Sequence, residues 1–375
     1  MQEPVRVAID GTPLLGVRTG VGNIVAATID ALAARDDVEL VVYAVTRRGR
    51  AELAGMLPAG VRSATRAVPA RLVRRLWQRV DRPAIETWTG RVDVVHGTNY
   101  VGPPARAPVV VSVYDLTFLE RPELADPEAR ANTALIRRAL DRGAVVHTTS
   151  DDVAARVVDA FGITTDRVVR IYPGLPTSGG GDAAAGRRAA GADRYVLFLG
   201  TIDPRKNVPA LVRAFDCVAG ADAELRLVLA GQPGGDSGRV ADAMRAAGHR
   251  DRVLLTGYVD NTARRDLIAG SSLLAFPSHD EGFGFPPLEA MAAGVPVVAA
   301  AAGSLPEVLG DAAVLVPPDD VDALATAMQR VLGDAALRAD LVVRGTNQAA
   351  RYDWATTAHQ LVALYAQLAG RRGSP

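Results

Sequence analysis

Cysteine is nearly absent from this 375-residue chain: Cys217 is the only one, which excludes an intramolecular disulfide and a cysteine-rich metal cluster and suits a reducing compartment. Net charge is absent too. Acidic and basic side chains balance to a formal charge of zero, so nothing global draws the chain to nucleic acid or to an anionic membrane. No uninterrupted apolar run reaches spanning length, and the opening MQEPVRVAIDGT lacks a charged segment followed by an apolar stretch. The expectation is a soluble, cytoplasmic, globular protein. Lysine is the strangest shortage, because of 42 lysines and arginines only Lys206 is a lysine. Heavy use of alanine, arginine and glycine fits a coding bias that has put arginine almost everywhere else, so the one retained lysine calls for a reason.

What is present is ample for two hydrophobic cores: apolar residues make up 49% of a chain longer than one core usually serves. Short apolar strands are read at residues 5–9, 40–45, 92–97, 107–115 and 144–150, alternating with helical stretches such as 24–34. The pattern restarts with strands at 195–200, 225–231, 252–257, 273–278 and 295–300. Alternation of this kind predicts βαβ units and parallel sheets, here an α/β protein of two Rossmann-like, doubly wound halves with a cleft between them. Residues 1–174 form the first half, 175–193 (rich in glycine, alanine and small polar residues) a linker, 194–354 the second half, and 355–375 a final helix expected to cross back onto the first. Ligands of such sheets bind beyond the carboxyl ends of the strands, so the informative residues should stand there.

Two stretches meet that condition. In VLFLGTIDPRKN, Arg205 and Lys206 follow a strand by one short turn. A planar donor fork beside a compact, mobile point charge is what a diphosphate requires, and the two cations are not interchangeable. The plainer alternative is an exposed basic pair on a loop. In HDEGFGFPPLEAMAAGVPVVAA, Glu281 stands in a loop and Glu289 in the helix that Pro286 and Pro287 begin. Gly282 and Gly284 let backbone N–H groups approach a ligand at that helix start, where an anion is favoured. Carboxylates are poor phosphate ligands but good acceptors for sugar hydroxyls.

Together with GVRTGVGN (16–23), VYDLTFLERPE (113–123) and YDWATTAHQLVALYAQL, these stretches resemble, in order along nearly the whole chain, the family 4 retaining glycosyltransferases, and within them the bacterial mannosyltransferase-like branch. The resemblance implies a GT-B fold and transfer of a mannose- or glucose-type hexose from a nucleoside diphosphate sugar to a glycan, lipid-linked or small-molecule acceptor. A GDP-sugar is favoured, with UDP- or dTDP-sugars open, and no cofactor or metal is expected. Arg205 and Lys206 would hold the diphosphate. Glu281 would hold donor-sugar hydroxyls, with backbone groups of Gly282, Phe283 and Gly284, and Glu289 the ribose. Gly20 and Gly22 would close over the phosphates, Gly200 would border the donor site, and Tyr258 and Val259 would approach the base. No nucleophile is evident, so front-face displacement is expected rather than a glycosyl-enzyme.

One departure stands out. Family members often have histidine before the aspartate of VYDLTF, where this chain has Tyr114 before Asp115. Tyr114 is taken as the catalytic-position residue, although a phenol is a poor base at neutral pH. His96 follows a strand and reads more simply as a satisfied structural histidine. Asp320 and Asp322 spell an Asp-x-Asp, but an acidic helix start explains them better than a metal. Residues 71–80, RLVRRLWQRV, interleave arginines with apolar residues; packing of the apolar stripe on the sheet is favoured, with peripheral contact to an anionic membrane as the other reading. Two rival functions stay open: a nucleotide-sugar epimerase or hydrolase of the same fold, and a degenerate transferase serving as a binding subunit.

Overall fold

The computed structural model describes residues 3–16, 20–46, 49–122, 127–175 and 180–370. Two compact units divide the chain: Met1–Gly174 with Asp353–Pro375, and Leu175–Tyr352. Among the described residues the first unit carries seven strands, β1 (Val5–Asp10), β2 (Val38–Thr46), β3 (Arg62–Ala67), β4 (Val94–Gly97), β5 (Val109–Val113), β6 (Val145–Thr148) and β7 (Val168–Arg170), in the order β3-β2-β1-β4-β5-β6-β7. The second carries six, β8 (Arg194–Leu199), β9 (Leu225–Ala230), β10 (Val253–Gly257), β11 (Leu273–Phe276), β12 (Val297–Ala300) and β13 (Val314–Val316), in the order β10-β9-β8-β11-β12-β13. Every strand pairing among the described residues is parallel. Parallel strands are covered on both faces, which is why the central ones read as continuous apolar runs: β5 (VVVSV) and β11 (LLAF) are buried at every position.

Strand order reverses once in each sheet, between β1 and β4 and between β8 and β11. At such a switch point the connections leave in opposite directions and open a crevice at the carboxyl ends. Three strands, β3, β7 and β13, are additions to the sequence reading, and all three are sheet edges. An edge strand has one partner and needs less apolar surface: β3 reads RSATRA, and β7 and β13 are three residues each.

The segment read as a linker is corrected. Residues 176–179 lie outside the described part, but Ala183–Ala190 is a helix, capped by Asp182 accepting from the Ala184 N–H and closed by Gly191 in the left-handed region. It lies so close to the helix Asn261–Gly270 that a Cβ on Gly186 would stand 1.9 Å from the Asp266 carbonyl oxygen. The glycine and alanine content that suggests flexibility therefore serves close backbone packing. The helix Trp354–Gly370 belongs to the first unit, with Leu361, Leu364, Tyr365 and Leu368 in the core formed by β1, β2 and the helix Gly20–Ala33.

The basic segment packs only part of its apolar surface. In the helix Ala70–Trp77, Val73 and Trp77 pack inward, but Leu72, Leu76 and the following Val80 are 64%, 41% and 43% exposed. The chain thus has an inner apolar stripe and a second one facing solvent, flanked by exposed Arg75, Arg79 and Arg82. No helix among the described residues is long and apolar enough to cross a membrane.

Candidate functional site

The second unit gathers most of the sequence-predicted residues at its switch point. After β8, Asp203 accepts from the Arg205 N–H and starts a single tight turn, Pro204–Lys206. Asn207, in the left-handed region at φ 51°, ends that turn and opens the helix Val208–Ala219. This geometry points Lys206 inward, where it is 8% exposed and lies 4.9 Å from the centroid of Phe276 on β11. Glu281 comes from the loop after β11. Lys206 Nζ donates to Glu281 Oε1 at 2.5 Å, and Arg205 Nη1 donates to Glu281 Oε2 at 3.0 Å and to the Asp280 carbonyl at 2.6 Å. The pair Lys206–Glu281 therefore bridges the crevice between β8 and β11.

Electrostatics follow from that convergence. Burial alone would raise the Glu281 pKa, but Lys206 and Arg205 outweigh it and hold the carboxyl below its ordinary value. Burial lowers Lys206, and its attraction to Glu281 only partly offsets this because Arg205 repels it. One carboxylate facing two cations gains from both, whereas each cation shares one anion.

Gly284 caps the helix Phe285–Ala292 at φ 99°, a conformation that an L side chain rarely adopts, and a Cβ there would also strike Leu305 at 2.7 Å. Pro286 and Pro287 occupy its first turn. Phe283 is buried between Phe285 and Tyr352, which fixes the loop carrying Gly282. Glu289, one turn into the helix, is 9% exposed and ion-paired with Arg264. Burial raises the Glu289 pKa, and Arg264 pulls against that rise. Gly200 follows β8 so near Lys206 that a Cβ would lie 3.6 Å from its Cε. Tyr258 is 67% exposed in the loop after β10, with Val259 half-buried beside it.

Two groups escaped the sequence reading. Arg264 lies in ARRDL, a run with the look of an ordinary solvated helix face. Asp319 accepts from Asn207 Nδ2 at 3.2 Å and pairs with His279 Nε2 at 2.6 Å, while the His279 N–H donates to the Arg205 carbonyl at 2.8 Å. Three loops remote in sequence are tied around the cationic turn, and nothing in the spacing of these residues announces it. Asp320, next to Asp319, caps the helix Val321–Gly333 by accepting from the Ala323 N–H. No group of three or more His, Cys, Asp or Glu side chains among the described residues is placed to hold a metal ion.

The first unit contains Tyr114, Gly20 and Gly22. Residues 17–19 lie outside the described part, and Gly20 and Gly22 stand in the first turn of the helix Gly20–Ala33 rather than in a turn before it. Tyr114 is 8% exposed, its hydroxyl donates to the Thr98 carbonyl at 2.7 Å, and burial pushes its pKa up. Its hydroxyl thus braces the segment after β5 against that after β4. Thr98 in turn donates to the Asp10 carbonyl at 2.7 Å, closing the switch point between β1 and β4.

His96 enters a buried chain of hydrogen bonds. His147 Nε2 lies 3.2 Å from the Ile171 carbonyl, which can only accept, so the proton sits on that nitrogen. Ser112 then donates to His147 Nδ1 at 2.8 Å, His96 Nε2 donates to Ser112 at 2.8 Å, and the Tyr365 hydroxyl donates to His96 Nδ1 at 2.7 Å. Burial, reinforced by the neighbouring His147, pushes His96 well below its ordinary value, and burial brings His147 to about 4. Both imidazoles are neutral, and the reading of His96 as a satisfied structural histidine fits this relay.

Residues 18–178 match the family described as Glycosyltransferase Family 4, and residues 184–348 match that described as Glycosyl transferases group 1. The chain belongs to the family 4 glycosyltransferases of GT-B fold. It falls within their bacterial mannosyltransferase-like branch. It is similar to an O-antigen chain mannosyltransferase B of Escherichia coli, 28% identical over 72% of this chain and 74% of the relative. It is also similar to a serotype-specific mannosyltransferase WbdA of Escherichia coli, 30% identical over 65% of this chain but only 31% of that relative. Among solved structures, Anabaena Alr3699/HepE in complex with UDP and glucose shares the fold, with TM-score 0.71 and 20% identity over 97% of this chain and all (100%) of that one.

Proposed function

We propose that this glycosyltransferase moves a mannose- or glucose-type hexose from a nucleoside diphosphate sugar to a hydroxyl of a glycan, lipid-linked or small-molecule acceptor, with retention of configuration and without a metal. One observation carries the reading: at the switch point of the second unit, the sole lysine and its neighbouring arginine converge on a buried glutamate. A donor diphosphate entering beside β8 would take Arg205 and Lys206 as partners, leaving Glu281 oxygens to accept from sugar hydroxyls. The cations would then stabilise the charge that develops on the departing diphosphate, a preorganised effect worth about 3–4 kcal/mol per group in comparable sites. Backbone groups of Gly282, Phe283 and Gly284 would complete the sugar pocket, and Glu289 would accept from the ribose. The related O-antigen mannosyltransferase supports a mannose donor and hence a GDP-sugar, whereas the UDP complex of the structural neighbour keeps the UDP-sugar alternative in view.

The exposed Leu72, Leu76 and Val80 flanked by Arg75, Arg79 and Arg82 support peripheral contact with an anionic lipid surface, which would bring a lipid-linked acceptor within reach. Loss of co-sedimentation with phosphatidylglycerol vesicles in an L72S/L76S variant is the expected result; no binding by the wild type at low salt removes this part of the reading. For the donor site, thermal stabilisation of the full chain by GDP, UDP, dTDP or ADP, unchanged by a chelator, is expected. A chelator-sensitive shift would overturn metal independence, and a donor sugar transferred with inverted anomeric configuration, read by NMR, would overturn retention.

A further inference from the structure

A second buried ion pair, Glu289 with Arg264, stands apart from the Lys206–Glu281 pair. Arg264 projects from the helix Asn261–Gly270, which Asp260 caps directly after β10, and meets Glu289 Oε2. That oxygen and Arg264 Nε are both buried without a well-formed hydrogen bond, so the two groups are paired in charge but not saturated in hydrogen bonding. Glu289 Oε1 has no hydrogen-bond partner among the described residues and is not sealed from solvent. One oxygen of the carboxylate is therefore pinned and the other presented.

We propose that Arg264 is a positioning residue for nucleotide recognition: held on Oε2, it keeps the Glu289 carboxylate ionised and turned so that Oε1 accepts from a vicinal diol. This rests on reading Glu289 as the ribose-binding carboxylate. An ionised carboxylate offers acceptors on both oxygens, whereas a protonated one turns a lone pair into a donor and fits a diol poorly. Burial favours the protonated form of Glu289, and Arg264 is the opposing charge. The other charged groups on the elements packed against this helix are engaged elsewhere. Asp266 accepts from the Asp182 N–H, Arg338 donates to the Val331 and Leu332 carbonyls, and Arg344 pairs with Asp340 and Asp311. Arg265 shows no ion pair with Glu289, and β11 and β12 carry no titratable side chain.

The test is calorimetric binding of UDP, GDP and their 2′,3′-dideoxy counterparts to the full-length wild type, R264Q and R264K between pH 5.5 and 8.5. The wild type is expected to prefer the ribose form by about tenfold or more, the value of hydrogen bonds to a charged acceptor. R264Q should lose most of that preference at pH 6.5 and regain part of it at pH 8.5, and R264K should restore it across the range. Equal weakening of ribose and dideoxy forms at every pH, or a pH profile parallel to the wild type, would overturn the proposal and leave Arg264 a structural residue. Wild-type binding with no preference for ribose would overturn it as well, while leaving the diphosphate site standing. No binding of either nucleotide by the wild type would overturn the donor-site reading and this inference with it.

Discussion

The two units build the same kind of sheet, and each has one switch point, yet the two crevices are filled with different chemistry. The first unit places neutral hydrogen bonds there, Thr98 to the Asp10 carbonyl between β1 and β4 and, next to it, Tyr114 to the Thr98 carbonyl between β4 and β5, each donor consumed by a backbone acceptor. Asp10 itself is buried and accepts from the Thr12 hydroxyl and N–H. Between β8 and β11 the second unit instead places Arg205, Lys206 and Glu281. Topology supplies a crevice in both; the residues just past the strands decide whether it is lined by neutral hydrogen bonds or by charge. Desolvating ions is costly, and a buried ion cluster is weak evidence of stability for its own sake. Under the proposed function, its presence at one switch point is what a charged donor requires.

Substitutions at the two crevices should separate these roles. The largest effect is expected from Glu281→Ala, which strands Lys206 without its partner: a loss of about 3–5 kcal/mol in unfolding free energy, read by denaturant titration. A loss under about 1 kcal/mol would mean that the ions are not coupled in solution. Lys206→Ala should cut transferase activity roughly 10²–10³-fold, while Lys206→Arg, too large and planar for the space beside Gly200 and Phe276, should not restore it. Full activity in the arginine variant would break the account of why one lysine persists.

The first unit should respond to pH instead. Both relay histidines are held below their ordinary value of 6.5, His147 at about 4, so in that window the unfolded chain binds more protons and stability falls as pH drops. From His147 alone the loss between pH 6.5 and 4 is about 3 kcal/mol, and Ser112→Ala, which cuts the relay, should change the slope. Calorimetry across that range checks it. The smallest effect belongs to Tyr114→Phe: about 1 kcal/mol of stability and activity within about twofold of wild type, because its hydroxyl braces a carbonyl. A large activity loss would place Tyr114 among the catalytic groups.

Much of this was legible from residue order. A strand followed by a short basic turn, and a strand followed by Glu-Gly-x-Gly and two prolines, are local patterns whose geometry is set within a few residues. The helix Ala183–Ala190 was not legible, because its alanines and glycines have a purpose only against Asp266 and the helix beyond it. Nor was the role of Tyr114: the chain shows a tyrosine where a histidine is usual, but which way its hydroxyl turns depends on Thr98 sixteen residues away. The exposed stripe at Leu72, Leu76 and Val80 shares its helical period with the buried Val73 and Trp77, and only the position of the sheet distinguishes them.

By itself the sequence determined the doubly wound architecture, the family and the identity of the charged residues, since apolar periodicity and strand-end motifs are encoded over short spans. Tertiary structure alone decided the partners: Glu281 for Lys206, Arg264 for Glu289, Asp319 for His279, and Tyr365 for His96. A buried polar group must find its complement wherever folding delivers one, and separations of 75 residues between Lys206 and Glu281 or 269 between His96 and Tyr365 leave no trace in local pattern.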